Sequence, residues 1–242
     1  MIEAVFISDL HLHPDEIRIT ERFEAFIQWA ALNVKTVYIL GDFFHVWPGD
    51  DAMDAWSHSI ALKLSWLATQ GVRIYFMKGN RDFLLGESFA KIASITFLKE
   101  PTIITLGTTR VLLMHGDAYC TKDRSHQWLR RLTRNSIFPR IFLSLPYVIR
   151  AKLVNSLRQY SQTNDKKPDV AMEIVIPVML QHMQQMGVTV LVHGHIHKPG
   201  LLKHPYQGLT YLQYILSDWD DNPLLMCYDR PNGFYFKRML GD

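Results

Sequence analysis

The chain has 242 residues, 48% of them hydrophobic, enough to bury a sizeable core and to exclude a disordered or fibrous protein. Its 26 Lys and Arg against 23 Asp and Glu leave a formal charge of +3, too small an excess to indicate nucleic acid by itself. Two cysteines, Cys120 and Cys227, cannot build a disulfide framework or a thiolate zinc site. A reducing compartment is therefore expected, and any metal must rest on histidine, of which there are 11, and carboxylate.

Five short apolar runs rich in β-branched and aromatic residues predict buried strands: Val5 to Ile7, Val37 to Leu40, Ile74 to Met77, Val111 to Met114 and Val188 to Val192. Between the first three, Phe23, Phe26, Ile27 and Ala30, then Met53, Trp56, Ile60, Leu64 and Leu67, keep the spacing of helix faces packed on a sheet. Met179, Met183 and Met186 predict another such face. Further strands are expected near 102–106, 209–216, 224–228 and 233–237, separated by turn residues such as Pro223 and Pro231-Asn232-Gly233. The class is α/β, a sandwich with partly mixed or antiparallel sheets. No stretch approaches the roughly 18 consecutive apolar residues of a membrane-spanning helix. Met1-Ile2-Glu3-Ala4 enters the first strand without the pattern of a secretory signal, so a cytoplasmic location is the starting expectation.

Residues 124–164 stand apart. They hold Arg124, Arg130, Arg131, Arg134, Arg140, Arg150, Lys152 and Arg158 and no acidic residue, which leaves the rest of the chain at −5. Phe138, Ile141, Phe142, Leu145, Val148 and Ile149 keep helical spacing, with Pro139 suited to a helix start and Pro146 expected to break it. This predicts a helical insertion at 124–164 in a core formed by 1–123 and 165–242, with the polar run Ser161 to Asp169 returning the chain. A solvated basic helical face is the plain alternative. The exposed apolar residues expected here favour instead a surface that meets anionic lipid, because each nearby Lys or Arg adds about 1 kcal/mol to such binding.

Each predicted strand runs into side chains that can bind metal: Asp9-Leu10-His11, Gly41-Asp42, Gly79-Asn80-Arg81-Asp82, His115-Gly116-Asp117 and Gly194-His195-Ile196-His197. In α/β folds ligands bind at the carboxyl ends of the strands, so these clusters can converge. Asp-x-His at a strand end is expected to place both side chains on one side of an extended backbone, and likewise His195 and His197. Asp9, His11, Asp42, Asn80, His115, His195 and His197 are too many ligands for one tetrahedral ion. Two ions are expected, with a carboxylate such as Asp42 able to bridge cations roughly 3.5–4 Å apart and activate a water for attack on phosphorus. Oxygen and nitrogen donors without sulfur favour Mn²⁺, Fe or Zn²⁺. Arg81 is placed to neutralise phosphate oxygens, and Cys120 reads as a packing residue.

Together these motifs resemble the calcineurin-like metallophosphoesterases. Trp47-x-Gly49-Asp50-Asp51, the run Gly79 to Gly86 and His115-Gly116-Asp117-x-x-Cys120-Thr121-x-Asp123 resemble in particular the bacterial UDP-2,3-diacylglucosamine hydrolase branch, over nearly the whole chain. The resemblance implies a two-sheet αββα sandwich whose helical cap, the basic insertion, holds acyl chains. It implies two Mn²⁺, ahead of Fe or Zn²⁺, one held by Asp9, His11, Asp42 and His197 and the other by Asp42, Asn80, His115 and His195. It assigns the reaction to Asp42, Asn80, Arg81 and His115, and substrate contacts to Asn80, Arg81, Asp123, Ser161, Asn164, Lys167 and His195. The implied reaction is attack of water on the α-phosphate of UDP-2,3-diacylglucosamine, giving UMP and the diacylated sugar 1-phosphate in lipid A biosynthesis. The implied location is peripheral, on the cytoplasmic face of the inner membrane, with no nucleic-acid or protein partner. His45, Lys122, Ile196 and Lys198 depart from the family's usual residues, and none of them is a ligand position. A related phosphoesterase acting on soluble nucleotides or phosphodiesters keeps the same centre but has no need of the apolar insertion. A catalytically inert metal- or nucleic-acid-binding module has no need of all seven ligands.

Overall fold

The computed structural model describes residues 1–135, 137–154 and 173–239. In the first sheet β1 (Ala4–Ile7), β2 (Thr36–Leu40), β3 (Arg73–Met77) and β4 (Thr96–Leu98) run parallel, and β10 (Leu224–Asp229) and β11 (Gly233–Arg238) add antiparallel in the order β11-β10-β1-β2-β3-β4. The crossovers are α1 (Ile17–Asn33), α2 (Ala55–Thr69) and α3 (Glu87–Ala93). Asp54 starts α2 with a reciprocal cap, its carboxylate accepting from Ser57 N while Ser57 Oγ accepts from Asp54 N.

The alternation of side chains along each strand sorts the core into layers. Val5, Ile7, Val37, Ile39, Ile74 and Phe76 face the helices, where they meet Phe23, Phe26, Ile60 and Leu64. Ala4, Phe6, Tyr38, Leu40 and Met77 face the second sheet. That sheet has the order β5-β6-β7-β9-β8, from β5 (Thr102–Leu106), β6 (Thr109–Leu113), β7 (Val190–His193), β8 (Gly200–Tyr206) and β9 (Leu209–Ile215). It gives Val111, Leu113, Val190 and Val192 to the shared layer. On its outer face Leu112, Leu191 and Tyr211 pack with Met179, Leu180 and Met183 of α6 (Ile176–Gln185). The result is the helix–sheet–sheet–helix sandwich expected from the motifs.

Two strands are not visible in the apolar pattern. β4 is a three-residue edge, and β8 is an exposed edge strand containing Pro205, a residue that marks a strand only where its missing N–H faces away from the ladder. Val188, expected inside the fifth strand, instead closes α6 by donating its N–H to Met183 O at 3.1 Å.

In the described part of the insertion, α4 (Arg124–Thr133) is followed by α5 (Phe138–Ser144), with Pro139 in its first turn. Pro146 separates α5 from a further helical stretch at 147–154. Phe142 is buried, and Phe138, Leu145 and Val154 pack beside it on the helix-side core of the first sheet. Arg158, Ser161, Asn164, Lys167 and the return loop expected at 161–169 lie outside the described residues. Among the described residues no helix is long and apolar enough to cross a membrane.

Candidate metal centre

All five clusters emerge at the carboxyl ends of β1, β2, β3, β6 and β7, on one edge of the sandwich. The way Asp9 and His11 converge differs from the expected strand alternation, because β1 ends at Ile7 and both residues lie beyond it. Asp9 (φ 56°), His11 (φ 51°), Asp42 (φ 52°), His195 (φ 72°) and His197 (φ 50°) all adopt left-handed backbone. Among the described residues only Ser94 and Gln207 are further non-glycine examples. Each costs about 1–3 kcal/mol, and such residues persist where surrounding structure over-determines them. The same kinks send His195 and His197 to different groups instead of the same side.

Two groups form, Asp9 with His11 and His197, and Asp42 with His115 and His195; within each, one ligand atom per residue lies within 4.8 Å of the others. His11 Nε2 is 3.4 Å from His197 Nε2, which is itself 3.4 Å from Asp9 Oδ1. Donors each about 2.1 Å from one ion stand roughly 3.0–3.4 Å apart, so the first group has the spacing of a shared cation. Asp9 Oδ1 is buried with no hydrogen-bond partner, whereas Oδ2 accepts from Ser8 Oγ at 2.5 Å and His195 N at 2.8 Å. In the second group His115 Nε2 lies 2.8 Å from Asn80 Oδ1 and 3.6 Å from Asp42 Oδ1. His115 Nδ1 faces Leu40 O at 2.9 Å, which fixes the ring so that Nε2 points into the site. The donors fit two hard or borderline divalent cations.

Electrostatics point the same way. Burial, then the charge of Arg81, push His11 down to about 2, and burial with the charge of His115 pushes His195 down to about 3. Both rings are therefore neutral and offer lone pairs. Burial opposes a charge on His115, yet the carboxylates of Asp42, Asp117, Asp9 and Glu100 raise it to about 9. Burial lifts Asp42 to about 6. Against its burial, the neighbouring histidines hold Asp9 well below the usual carboxylate range, and the negative potential that raises His115 is one that attracts a cation.

Close backbone contact makes two glycines necessary. A Cβ on Gly79 would lie 2.1 Å from Asp42 Oδ1, and one on Gly194 would lie 2.2 Å from Asp9 Oδ2. Buried Asp82 accepts from Gly79 N at 2.6 Å and Phe43 N at 2.8 Å, tying the loops after β2 and β3 together.

A family model described as calcineurin-like phosphoesterase matches residues 3–199. The chain belongs to the calcineurin-like phosphoesterases. It is 41% identical over 221 residues to a protein of Pseudomonas paraeruginosa named UDP-2,3-diacylglucosamine hydrolase, covering 90% of this chain and 92% of the relative. It is 42% identical over 226 residues to a protein of that name from Pseudomonas aeruginosa, with the same coverage. One of the same name from Stutzerimonas stutzeri is 39% identical over 236 residues, covering 96% of each.

In this phosphoesterase a cavity of about 510 Å³ is lined by His11, Asp42, Asn80, Arg81, His195 and His197, joined by Glu173, Ile174, Ile176, Ile196, Lys198, Leu202 and Gln213. Arg81 donates its backbone N–H to Asp42 Oδ1 at 2.9 Å, and its half-open guanidinium lies 3.6 Å from Asp42 Oδ2. His115 sits behind this lining, fully buried. Asp123, expected at the substrate, caps α4 by accepting from His126 N at 3.0 Å and Ser125 Oγ at 2.7 Å. Cys120 is buried, and burial pushes its thiol up to about 12, as suits a packing residue. Several neighbours of the centre carry no sequence signal. Asp218 lies 3.6 Å from His197 Nδ1, the His126 ring lies 5.5 Å from that of His195, and Glu100 Oε1 accepts the His115 N–H at 2.8 Å. They stand alone in the sequence, and only the fold brings them in.

Proposed function

We propose that the protein hydrolyses the pyrophosphate bond of UDP-2,3-diacylglucosamine by attack of water at the α-phosphate, giving UMP and 2,3-diacylglucosamine 1-phosphate in lipid A biosynthesis. The observation that carries this reading is one cavity in which two ligand groups and Arg81 adjoin an apolar wall of Ile174, Ile176 and Leu202. The polar half suits a diphosphate and the apolar half suits acyl chains. The names of the relatives supply the substrate.

Asp9, His11, Asp42 and His197 would hold one Mn²⁺, and Asp42, Asn80, His115 and His195 the other. When bound, the pair would lower the pKa of a water towards about 7 and neutralise charge developing on phosphorus. The chain's own part is electrostatic and positional. Arg81, held by its backbone bond to Asp42, presents its guanidinium to the phosphate oxygens, and Lys198 adds a second cation to the same wall. The left-handed residues fix the ligands before substrate arrives, so no backbone rearrangement is needed at the moment of reaction.

The insertion supports a peripheral site on the cytoplasmic face of the inner membrane. Trp128, Ile137, Ile141, Val148 and Ile149 are exposed. Three of its basic residues serve internal needs, since Arg130 and Arg134 pair with Glu100 and Arg150 pairs with Asp51. Arg124, Arg131, Arg140 and Lys152 are left exposed for anionic lipid. Flotation with anionic vesicles that is reversed by salt is the expected result, and no recovery with such vesicles overturns the membrane assignment.

The function itself is tested by offering Mn²⁺-loaded protein UDP-2,3-diacylglucosamine, bis-p-nitrophenyl phosphate and a single-stranded oligonucleotide in parallel. Release of UMP from the lipid substrate is expected. Cleavage of the diester alone moves the protein to the soluble-phosphodiester reading.

A further inference from the structure

We propose that Arg130, on the first helix of the insertion, is a positioning residue for the metal centre, fixing through Glu100 and Asp117 the main chain that presents His115. This inference rests on the reading of His115 as a ligand.

One face of α4 is committed to the segment that follows β6. Gln127 Nε2 donates to Asp117 O at 2.8 Å and to Cys120 O at 3.2 Å. One turn on, Arg130 spans two carboxylates, with Nε 3.1 Å from Asp117 Oδ2 and Nη2 3.0 Å from Glu100 Oε2. Arg134 adds a longer contact to Glu100 Oε2 at 3.4 Å, and His126 Nε2 lies 3.5 Å from Asp117 Oδ2. The side chains of Glu100 and Asp117 are 4% and 0% exposed. Two carboxylates removed from water in this way repel each other unless a cation lies between them. Glu100 turns its other oxygen to the His115 N–H at 2.8 Å, and Asp117 is only two residues beyond His115. The backbone on either side of the ligand is thus held by acids that Arg130 holds in turn.

The shape of the guanidinium matters here. Its Nη2 donates to Glu100 while its Nε lies in ion-pair range of Asp117, two contacts from separate nitrogens that a lysine with a single nitrogen does not reproduce. Without Arg130, Glu100 has less reason to stay buried and the His115 N–H loses its acceptor. His115 Nε2 then drifts from Asn80 Oδ1 and Asp42. The first helix of the insertion is, on this account, part of the scaffold of the metal centre. Among the described residues nothing equivalent reaches the other group: Asp9 is held by Ser8 and His195, and His197 by Asp218.

The test is calorimetric titration of Mn²⁺ into the chelator-stripped full chain, comparing wild type, R130A, R130K and R150M, with melting temperatures measured in parallel. Loss of a group that orients a ligand weakens metal affinity by roughly 10–100-fold. R130A is expected to weaken one Mn²⁺ equivalent at least 10-fold and leave the other within about 3-fold. R130K, which keeps the charge and protects against a folding defect, is expected to recover only part of that loss. R150M, which detaches the insertion elsewhere, is expected to melt lower while both equivalents stay within about 3-fold of wild type. A purely structural role predicts that R130A and R130K melt lower with both Mn²⁺ affinities unchanged, as in R150M, or weakened together, and either result overturns the proposal. Failure of wild type to bind Mn²⁺ at all would instead overturn the metal reading on which it rests.

Discussion

Arg150 offers the sharpest test of how the insertion is held to the core. Its side chain is 1% exposed, and its charge is met from within the chain. Nε donates to Leu145 O at 2.9 Å, Nη1 to Pro48 O at 2.5 Å, and Nη2 pairs with Asp51 Oδ2. Hydrogen bonds from a charged donor contribute about 1.5–3 kcal/mol each. Arg150→Met forfeits all three and leaves the Pro48 and Leu145 carbonyls without this donor. Two effects offset part of that loss: the variant no longer buries a guanidinium, and Asp51, which is 59% exposed, returns to water at little cost. Three bonds of that strength, less these two offsets, leave a cost of about 3–5 kcal/mol. For a chain of this size each kcal/mol lowers the melting temperature by about 2–4 °C, so thermal denaturation should show a fall of roughly 6–20 °C. Asp51→Ala, which keeps both carbonyl bonds but leaves the buried guanidinium without its counter-charge, should destabilise as well. On the proposal that the insertion holds acyl chains, the lipid substrate should show a raised KM. An Arg150→Met protein melting within about 2 °C of wild type would refute this anchoring.

Three further outcomes follow from the same geometry. Asp42→Ala should lose both metals by elemental analysis and lower turnover by at least about 10²-fold, because the carboxylate belongs to both ligand sets; retained activity contradicts the bridging assignment. Gly79→Ala should inactivate while keeping its far-UV circular dichroism, since the new methyl would lie 2.2 Å from Asp42 N and must displace that loop; full activity means the loops after β2 and β3 are more yielding than their contacts imply. Burial pushes both Cys120 and Cys227 up to about 12, so dithionitrobenzoate should react slowly at pH 8 with native protein and rapidly with two thiols in denaturant. The sign is fixed: below the unfolded value of 9.0 both states are protonated and the thiols contribute no pH dependence, and above it the unfolded thiols ionise first and stability falls.

The five strand-to-cluster junctions could be read from sequence because buried parallel strands leave continuous apolar runs, and ligands placed at their ends stand out as abrupt polar clusters. The layering followed from the same alternation, as Phe6 and Tyr38 facing one way and Val5 and Val37 the other demonstrate. Three things were hidden. Left-handed backbone at Asp9, His11, Asp42, His195 and His197 has no composition signal, so the convergence of these residues was expected from a local geometry they do not have. Edge strand β8 shows little burial and contains a proline, which removes the pattern that marks a strand. The charges of the insertion were visible, but not their partners: Glu100 lies 30 residues from Arg130 and Asp51 lies 99 from Arg150, so no local spacing links them. That pairing removes Arg130, Arg134 and Arg150 from the basic surface, and it makes Trp47-x-Gly49-Asp50-Asp51 a junction between core and insertion. Asp50 accepts from Trp47 Nε1, Gly86 N and Phe89 N on the core side, while Asp51 takes the insertion.

The most direct measurement of the central claim is hydrolysis of UDP-2,3-diacylglucosamine in ¹⁸O-labelled water with Mn²⁺-loaded protein, followed by mass spectrometry of both products. Attack at the α-phosphate predicts one ¹⁸O in UMP and none in the diacylated sugar 1-phosphate. Label in the sugar phosphate, or no cleavage of the lipid substrate, would contradict the account.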